Sequence, residues 1–365
     1  MAISKIPSAG FQDNVKFRNL IINGGMDLAQ RGTSVSSLTS SSTYQTIDRY
    51  ATELGSNGTW TQSQSTDVPT GQGFAKSLKM DCTTADASPS ASDEFSLRQK
   101  IEGQNLQYLK KGTSSAESTT VSFWVKSNKI GTYICELRDS DNSRQINKSY
   151  TISSANTWEK KTITYDGDTT GALDNDNARS LDVVWWLGAG SNFTSGTLQT
   201  SWGSIVAANR AVGQVNLADS TSNEWYITGV QLEAGEVASD FEFLPVDVNL
   251  ARCQRYYQII ADRNQTGERM AIICGSAVNS ANVYAGIQFI TPMRASATAI
   301  STSVSAGYRF LGDTQPTFDS ISAAPITNRG ARLTNGDSAT VTAGKAYVFE
   351  LELANSTLRF EAELW

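Results

Sequence analysis

Residues 229–260, GVQLEAGEVASDFEFLPVDVNLARCQRYYQII, decide how this chain is organised. The segment opens as a β-strand, EWYITGVQLEAG, the last long one of a first domain. It then passes through an acidic wrap, EVASDFEF, with Phe241 and Phe243 as anchors, and Pro245 stops the extended run. Asp247 reads as a helix N-cap, and Leu250, Cys253 and Tyr257 recur at helical spacing. A short linking helix over 248–260 is therefore expected, closing one β-domain and carrying a second.

Working outward, strands recur with Gly/Asn/Asp/Ser turns between them. In TTVSFWVKS, Val121, Phe123 and Val125 fall on one face and Ser122, Trp124 and Lys126 on the other, the period of a half-buried strand. TYICELRDS repeats it, with Tyr133, Cys135 and Leu137 opposite Glu136 and Arg138. Ile163 and Tyr165 point inward in KKTITYDG, as do Leu181, Val183, Trp185 and Leu187 in ARSLDVVWWLGAG. YQTIDRYAT is a further candidate strand, following a Ser/Thr-rich stretch. Beyond the helix, Val283, Ala285, Ile287 and Phe289 alternate, then Tyr347, Phe349, Leu351 and Leu353. Leu358, Phe360, Ala362 and Leu364 carry the alternation to the C-terminus, which is expected to be tied into a sheet. The fold class is all-β: an N-terminal extended arm (1–18), a jelly-roll β-sandwich (19–247), the linking helix and a smaller C-terminal β-sandwich (248–365).

Composition narrows the chemistry. The 365 residues carry a net charge of −6 and no histidine. Without histidine there is no Ser-His-Asp or Cys-His nucleophile system, and the commonest ligand for zinc, copper and non-haem iron is missing. Carboxylate pairs remain, Asp93 with Glu94, Asp139 with Asp141 and Asp174 with Asp176, but all lie in loop sequence and read as solvated turn formers. No enzyme activity is expected. The acidic balance gives no basic field for nucleic acid. No apolar run reaches the roughly 18 residues of a membrane span, and MAISKIPSAGFQDNVKF lacks a signal-peptide core. The chain is read as made in a cytoplasm, with Cys82, Cys135, Cys253 and Cys274 as reduced, buried small hydrophobes.

Three pieces together resemble bacteriophage fibre and receptor-binding proteins: FRNLIINGGMDLAQRGTS with TIDRYAT, the QLEAG…CQRYY segment, and MRASATAI with the terminal FEAELW. The middle of the chain, from VSFWVK to the TW before an outward strand, is similar to carbohydrate-binding-module jelly rolls. The resemblance implies a trimeric virion protein, a tail or head fibre. Its partners would be itself as a homotrimer, another virion protein through the N-terminal arm, and host surface glycans. A capsid decoration without receptor binding, or a polysaccharide depolymerase, are the alternatives.

Trp60 and Trp202 lie in the polar segments NGTWTQS and TSWGS, where an exposed indole could stack on a sugar ring. They are the glycan-contact candidates, each against the alternative of a tryptophan covering the core edge or a protomer interface. Trp124, Trp185 and Trp186, within strands, read as packing. DGDTTGALDNDNAR imitates a calcium loop at Asp166, Asp168, Thr170 and Gly171, but Asn177 stands where a bidentate Glu is needed. It reads as a solvated hairpin loop, and no cofactor is expected. GQGFAKS lacks the spacing of a phosphate loop.

Overall fold

The computed structural model describes residues 17–263, 269–301, 305–354 and 356–365. The arm expected over 1–18 lies outside them except for Phe17 and Arg18. The chain divides into units of 1–245 and 246–364, and it is all-β.

The first unit contains β1 (Ser34–Tyr44), β2 (Ala51–Ser65), β3 (Ser77–Thr84), β4 (Glu94–Glu102), β5 (Thr119–Ser127), β6 (Gly131–Asp139), β7 (Arg144–Ile152), β8 (Glu159–Tyr165), β9 (Arg179–Ala189), β10 (Gly203–Ser204) and β11 (Glu224–Ala234). They pair antiparallel in the order β10-β7-β6-β9-β4-β2-β3-β11-β5-β8, with β1 alongside β2. One strand turns the corner between two layers: Ala51–Ser56 of β2 pairs with β4, and Thr59–Ser65 with β3. At the bend Ser56 and Gly58 take φ of 61° and 76°, which breaks the pleat and re-aims the strand.

The two layers close on one core. Phe123 of β5 meets Trp185 of β9 and Tyr150 of β7 edge to face, at 5.9 and 5.1 Å between ring centres. The inward sets expected on β5, β6, β8 and β9 are all buried there. An aromatic burying roughly 150–250 Å² contributes about 4–6 kcal/mol of transfer free energy, which such a core sets against chain entropy.

Several expectations are corrected. The Ser/Thr-rich stretch forms β1, whereas residues 45–50 of YQTIDRYAT link β1 to β2 rather than forming a strand. Glu136 does not sit on a solvated face: it is fully buried, gripped by Arg210 Nε at 3.0 Å and by the Trp186 indole N–H at 2.8 Å. Trp186, Val184 and Ile134 pack with Ala211 and Phe193, because the segment that includes the one-turn helix α1 (Ser191–Thr194) folds back over this face.

The second unit begins with α2 (Val246–Gln254), which starts two residues earlier and ends six residues earlier than the expected helix. Asp247 lies in its first turn instead of capping it. Tyr257 belongs to β12 (Tyr257–Asp262), paired with the C-terminal strand at Tyr257↔Glu361. The β-forming run YYQII and its cross-strand partner override the helical spacing. The remaining strands are β13 (Met270–Ala277), β14 (Val283–Gln288), β15 (Thr298–Ser301), β16 (Tyr308–Leu311), β17 (Thr317–Phe318), β18 (Ile321–Ile326), β19 (Gly330–Asn335), β20 (Ala346–Leu351) and β21 (Thr357–Glu361). They form the sheets β12-β21-β15 and β17-β16-β20-β13-β14-β19-β18 over a core of Phe310, Phe318, Tyr347 and Phe349. The C-terminal strand is tied into a sheet, as its alternation predicts, but Leu353 lies past the end of β20 and is exposed. Cys82, Cys135 and Cys253 are buried and free, while Cys274 is exposed, contrary to expectation.

Candidate functional site

Alternation in β5 sets the floor of a groove on the outer face of the first unit. Because Phe123 and Val125 point into the core, Ser122 and Trp124 face outward, and Trp124 remains partly exposed. Beside them β11 carries a bulge between Thr228 and Gln231, where Gly229 has φ of 62°. With no Cβ there, the ring of Phe74 lies on the strand backbone.

Phe74 ends the GQGF turn, in which Gly71 and Gly73 take φ of 77° and 83°. Their left-handed backbone, which glycine adopts without steric cost, folds the turn onto the sheet. Phe74 is clasped by Phe241 and Phe243 at 5.0 and 5.2 Å. The acidic wrap that supplies these rings is fastened by side chains. Gln231 accepts from the Glu242 N–H at 2.9 Å, and Glu233 accepts from the Ser239 hydroxyl at 2.6 Å. Glu242 accepts from the Phe17 N–H at 2.7 Å, and Arg18 donates to the Asp240 carbonyl at 2.8 Å.

The groove so enclosed has a volume of about 220 Å³ and is lined by Gln72, Phe74, Trp124, Lys160, Asp240 and Phe243, over Ser122 and Gly229. An indole face with an ammonium, a carboxylate and a carboxamide around it can stack an apolar ring face while hydrogen-bonding its polar rim.

Two residues beyond Trp124 the surface is occupied. Lys126 Nζ stands 4.4 Å from the Tyr226 ring centre and 5.6 Å from that of Trp158, and it pairs with Asp67. The Trp158 indole N–H donates to Asp67 at 2.9 Å, and the Tyr226 hydroxyl to Glu224 at 2.7 Å. Partial burial raises the Asp67 pKa, but the Lys126 ammonium and the indole N–H outweigh it and hold the carboxyl below its ordinary value.

Neither predicted glycan tryptophan lines this groove. Trp60 is fully buried, its N–H donating to the Asn57 carbonyl at 2.7 Å and its ring 4.4 Å from that of Phe95. The register shift between Thr59 and Trp60 turns it into the core despite its polar neighbours. Trp202 is half-buried against the core edge, its N–H donating to the Asp166 carbonyl at 2.7 Å and Lys111 Nζ 4.8 Å from its ring centre. That arrangement matches the alternative of a tryptophan covering the core edge. The groove residues missed from sequence are Trp124, Phe74 and Phe243. Trp124 carried a usable signal, since it alternates with the buried Phe123.

The loop resembling a calcium site is not solvated at Asp168, nor is the Asp139 of the nearby acid pair: both are buried. Lys111 pairs with Asp139, lies 2.9 Å from Asp168 and donates to the Gly171 carbonyl at 2.9 Å. Arg144 grips Asp168 through two bonds of 2.7 and 2.9 Å. Asp93 is also buried, accepting from the Ser90 N–H at 2.7 Å. Among the described residues no group of three or more acidic or cysteine side chains is placed to hold a metal ion. No helix among them is long and apolar enough to cross a membrane.

No protein-family model matches the chain, and no curated protein does. Solved structures do. The enzymatically active domain of bacteriophage CBA120 tailspike protein 4 aligns with a TM-score of 0.32 at 14% identity, over 60% of this chain and 21% of that one. This chain thus spans about a fifth of that tailspike's length. TmCBM61 in complex with β-1,4-galactotriose aligns at 0.31 and 9%, over 60% of this chain and 99% of that one. A family 11 carbohydrate-binding module from Clostridium thermocellum, in complex with a mixed-linked tetrasaccharide, aligns at 0.28 and 9%, over 57% and 99%.

Proposed function

We propose that this chain is a non-enzymatic glycan-binding protein whose groove holds sugar against Trp124. The observation that carries the reading is the partly exposed indole of Trp124 on the sheet face, ringed by Lys160, Asp240 and Gln72. Sugar rings have one apolar face and a rim of hydroxyls, and this lining offers a partner for each. Asp240 is the one carboxylate among the lining residues. Glycoside hydrolysis by the usual route needs two, so the lining supports binding without cleavage. Titration of the purified chain with an immobilised glycan panel tests this. Wild type should retain at least one glycan that Trp124→Ala does not, whereas equal retention by both would refute the site.

The wider role we propose is a homotrimeric virion fibre that contacts host surface glycans, attached to another virion protein through residues 1–18. Its support is the resemblance of the QLEAG…CQRYY segment and the terminal FEAELW to phage fibres. The second unit also exposes Ile290, Val278, Met270 and Leu311, apolar surface that closed symmetry could cover with copies of itself. Light scattering of the full chain should give three times the monomer mass, and a monomer would overturn the trimer.

A further inference from the structure

We infer that the groove takes one sugar residue at the end of a glycan, and not the interior of a polysaccharide. This rests on the reading that the groove binds sugar, and it adds which part of a glycan can enter.

The first ground is size. A volume of about 220 Å³ falls below the roughly 300–1,000 Å³ of ordinary ligand pockets, which leaves room for a single ring.

The second ground is how the groove is bounded. Along β5 the next outward residue after Trp124 is Lys126, about 7 Å further on. There Lys126, Tyr226 and Trp158 are packed together, with Lys126 and Trp158 tied to Asp67. The cation is neutralised, and the indole N–H and tyrosine hydroxyl already have acceptors. Lys126 already lies over both rings, so a second sugar on this line would have to pull it away from Asp67 to stack there. Across the strands toward β11, Phe74 covers Gly229 and is backed by Phe241 and Phe243. Along β5 the other way, Thr120 and its neighbour Thr164 on β8 donate to the Gly235 and Glu236 carbonyls, so the start of the acidic wrap lies across that end. The side left is that of Lys160 on β8, which is the edge strand of the layer. A ring entering past Lys160 reaches Trp124 and stops, and the rest of its glycan leads back over the edge into solvent.

Calorimetry with matched series tests this. Free galactose, glucose, mannose, N-acetylglucosamine and N-acetylgalactosamine are compared with their own oligomers of up to six residues. For the sugar that binds, affinities of the monosaccharide and the hexamer should agree within about threefold, under 1 kcal/mol. Affinity that climbs tenfold or more with length would overturn the one-residue inference while leaving glycan binding intact. Capping both ends with bulky groups should abolish binding, and unchanged binding of the doubly capped oligomer would equally overturn it. If no member of any series binds above the Trp124→Ala background, the glycan reading itself falls, and this inference with it.

Discussion

The ring of Phe74 rests on Gly229, and a Cβ at that position would stand 2.5 Å from the Phe74 Cζ. The closeness couples the two sites. Gly229→Ala should cost about 2–4 kcal/mol, from overpacking and from a left-handed φ on a residue with a side chain. In a Phe74→Ala background the same change should cost only about 1–2 kcal/mol, since the φ penalty alone remains. Denaturant midpoints of the four proteins check this, and additive costs would show that the ring is not seated as described.

Trp124→Ala and Trp60→Ala should part company. Trp124 is partly exposed, so its truncation should lower the unfolding free energy by less than about 1 kcal/mol while removing glycan binding. Trp60 is enclosed and should cost about 3–5 kcal/mol. Chemical denaturation read beside glycan retention separates the two, and the reverse ranking would move the site.

Lys111 is a buried ammonium between Asp139 and Asp168. Lys111→Met leaves two buried carboxylates short of a partner, a loss of about 3–5 kcal/mol. Because the chain supplies its own cation there, chelators should leave the wild-type melting curve unchanged. A drop of several degrees with EDTA would show that a metal ion holds the fold.

Burial raises the Asp168 pKa, but the Arg144 guanidinium and the Lys111 ammonium more than offset this and bring it below the usual 3.8. A carboxyl depressed in the folded state stabilises fully above its unfolded value. That stabilisation is lost as the pH falls below 3.8 through the folded value. Melting curves from about pH 5 down to about pH 2 should therefore fall more steeply for wild type than for Asp168→Asn. Parallel slopes would mean that Asp168 contributes nothing to acid lability.

How much of this could be read from sequence depends on whether the pleat is regular. In β5 an unbroken alternation put Phe123 inward and Trp124 outward, as found. In β2 the bend at Ser56 and Gly58 resets the phase, so Trp60 looked like a loop residue and is core. β1, SVSSLTSSSTY, has almost no apolar period, and its pairing with β2 makes it a strand. Helical spacing extended α2 as far as Tyr257 because the competing partner, Glu361, lies about a hundred residues away. The groove depends on such long-range meetings, Phe74 with Gly229 and Phe241, which local patterning does not encode.

The connection between β2 and β3 is held at Asp67 by Lys126 and Trp158, and at Phe74 by the aromatic clasp. Residues 68–73 between those fastenings include Gly71 and Gln72 of the groove lining. Anchoring and recognition are thus divided within one short loop. Its ends can stay fixed while the intervening hexapeptide changes, as in an exchangeable cassette, so the lining of the groove could be altered by a few substitutions with little refolding of the sandwich beneath.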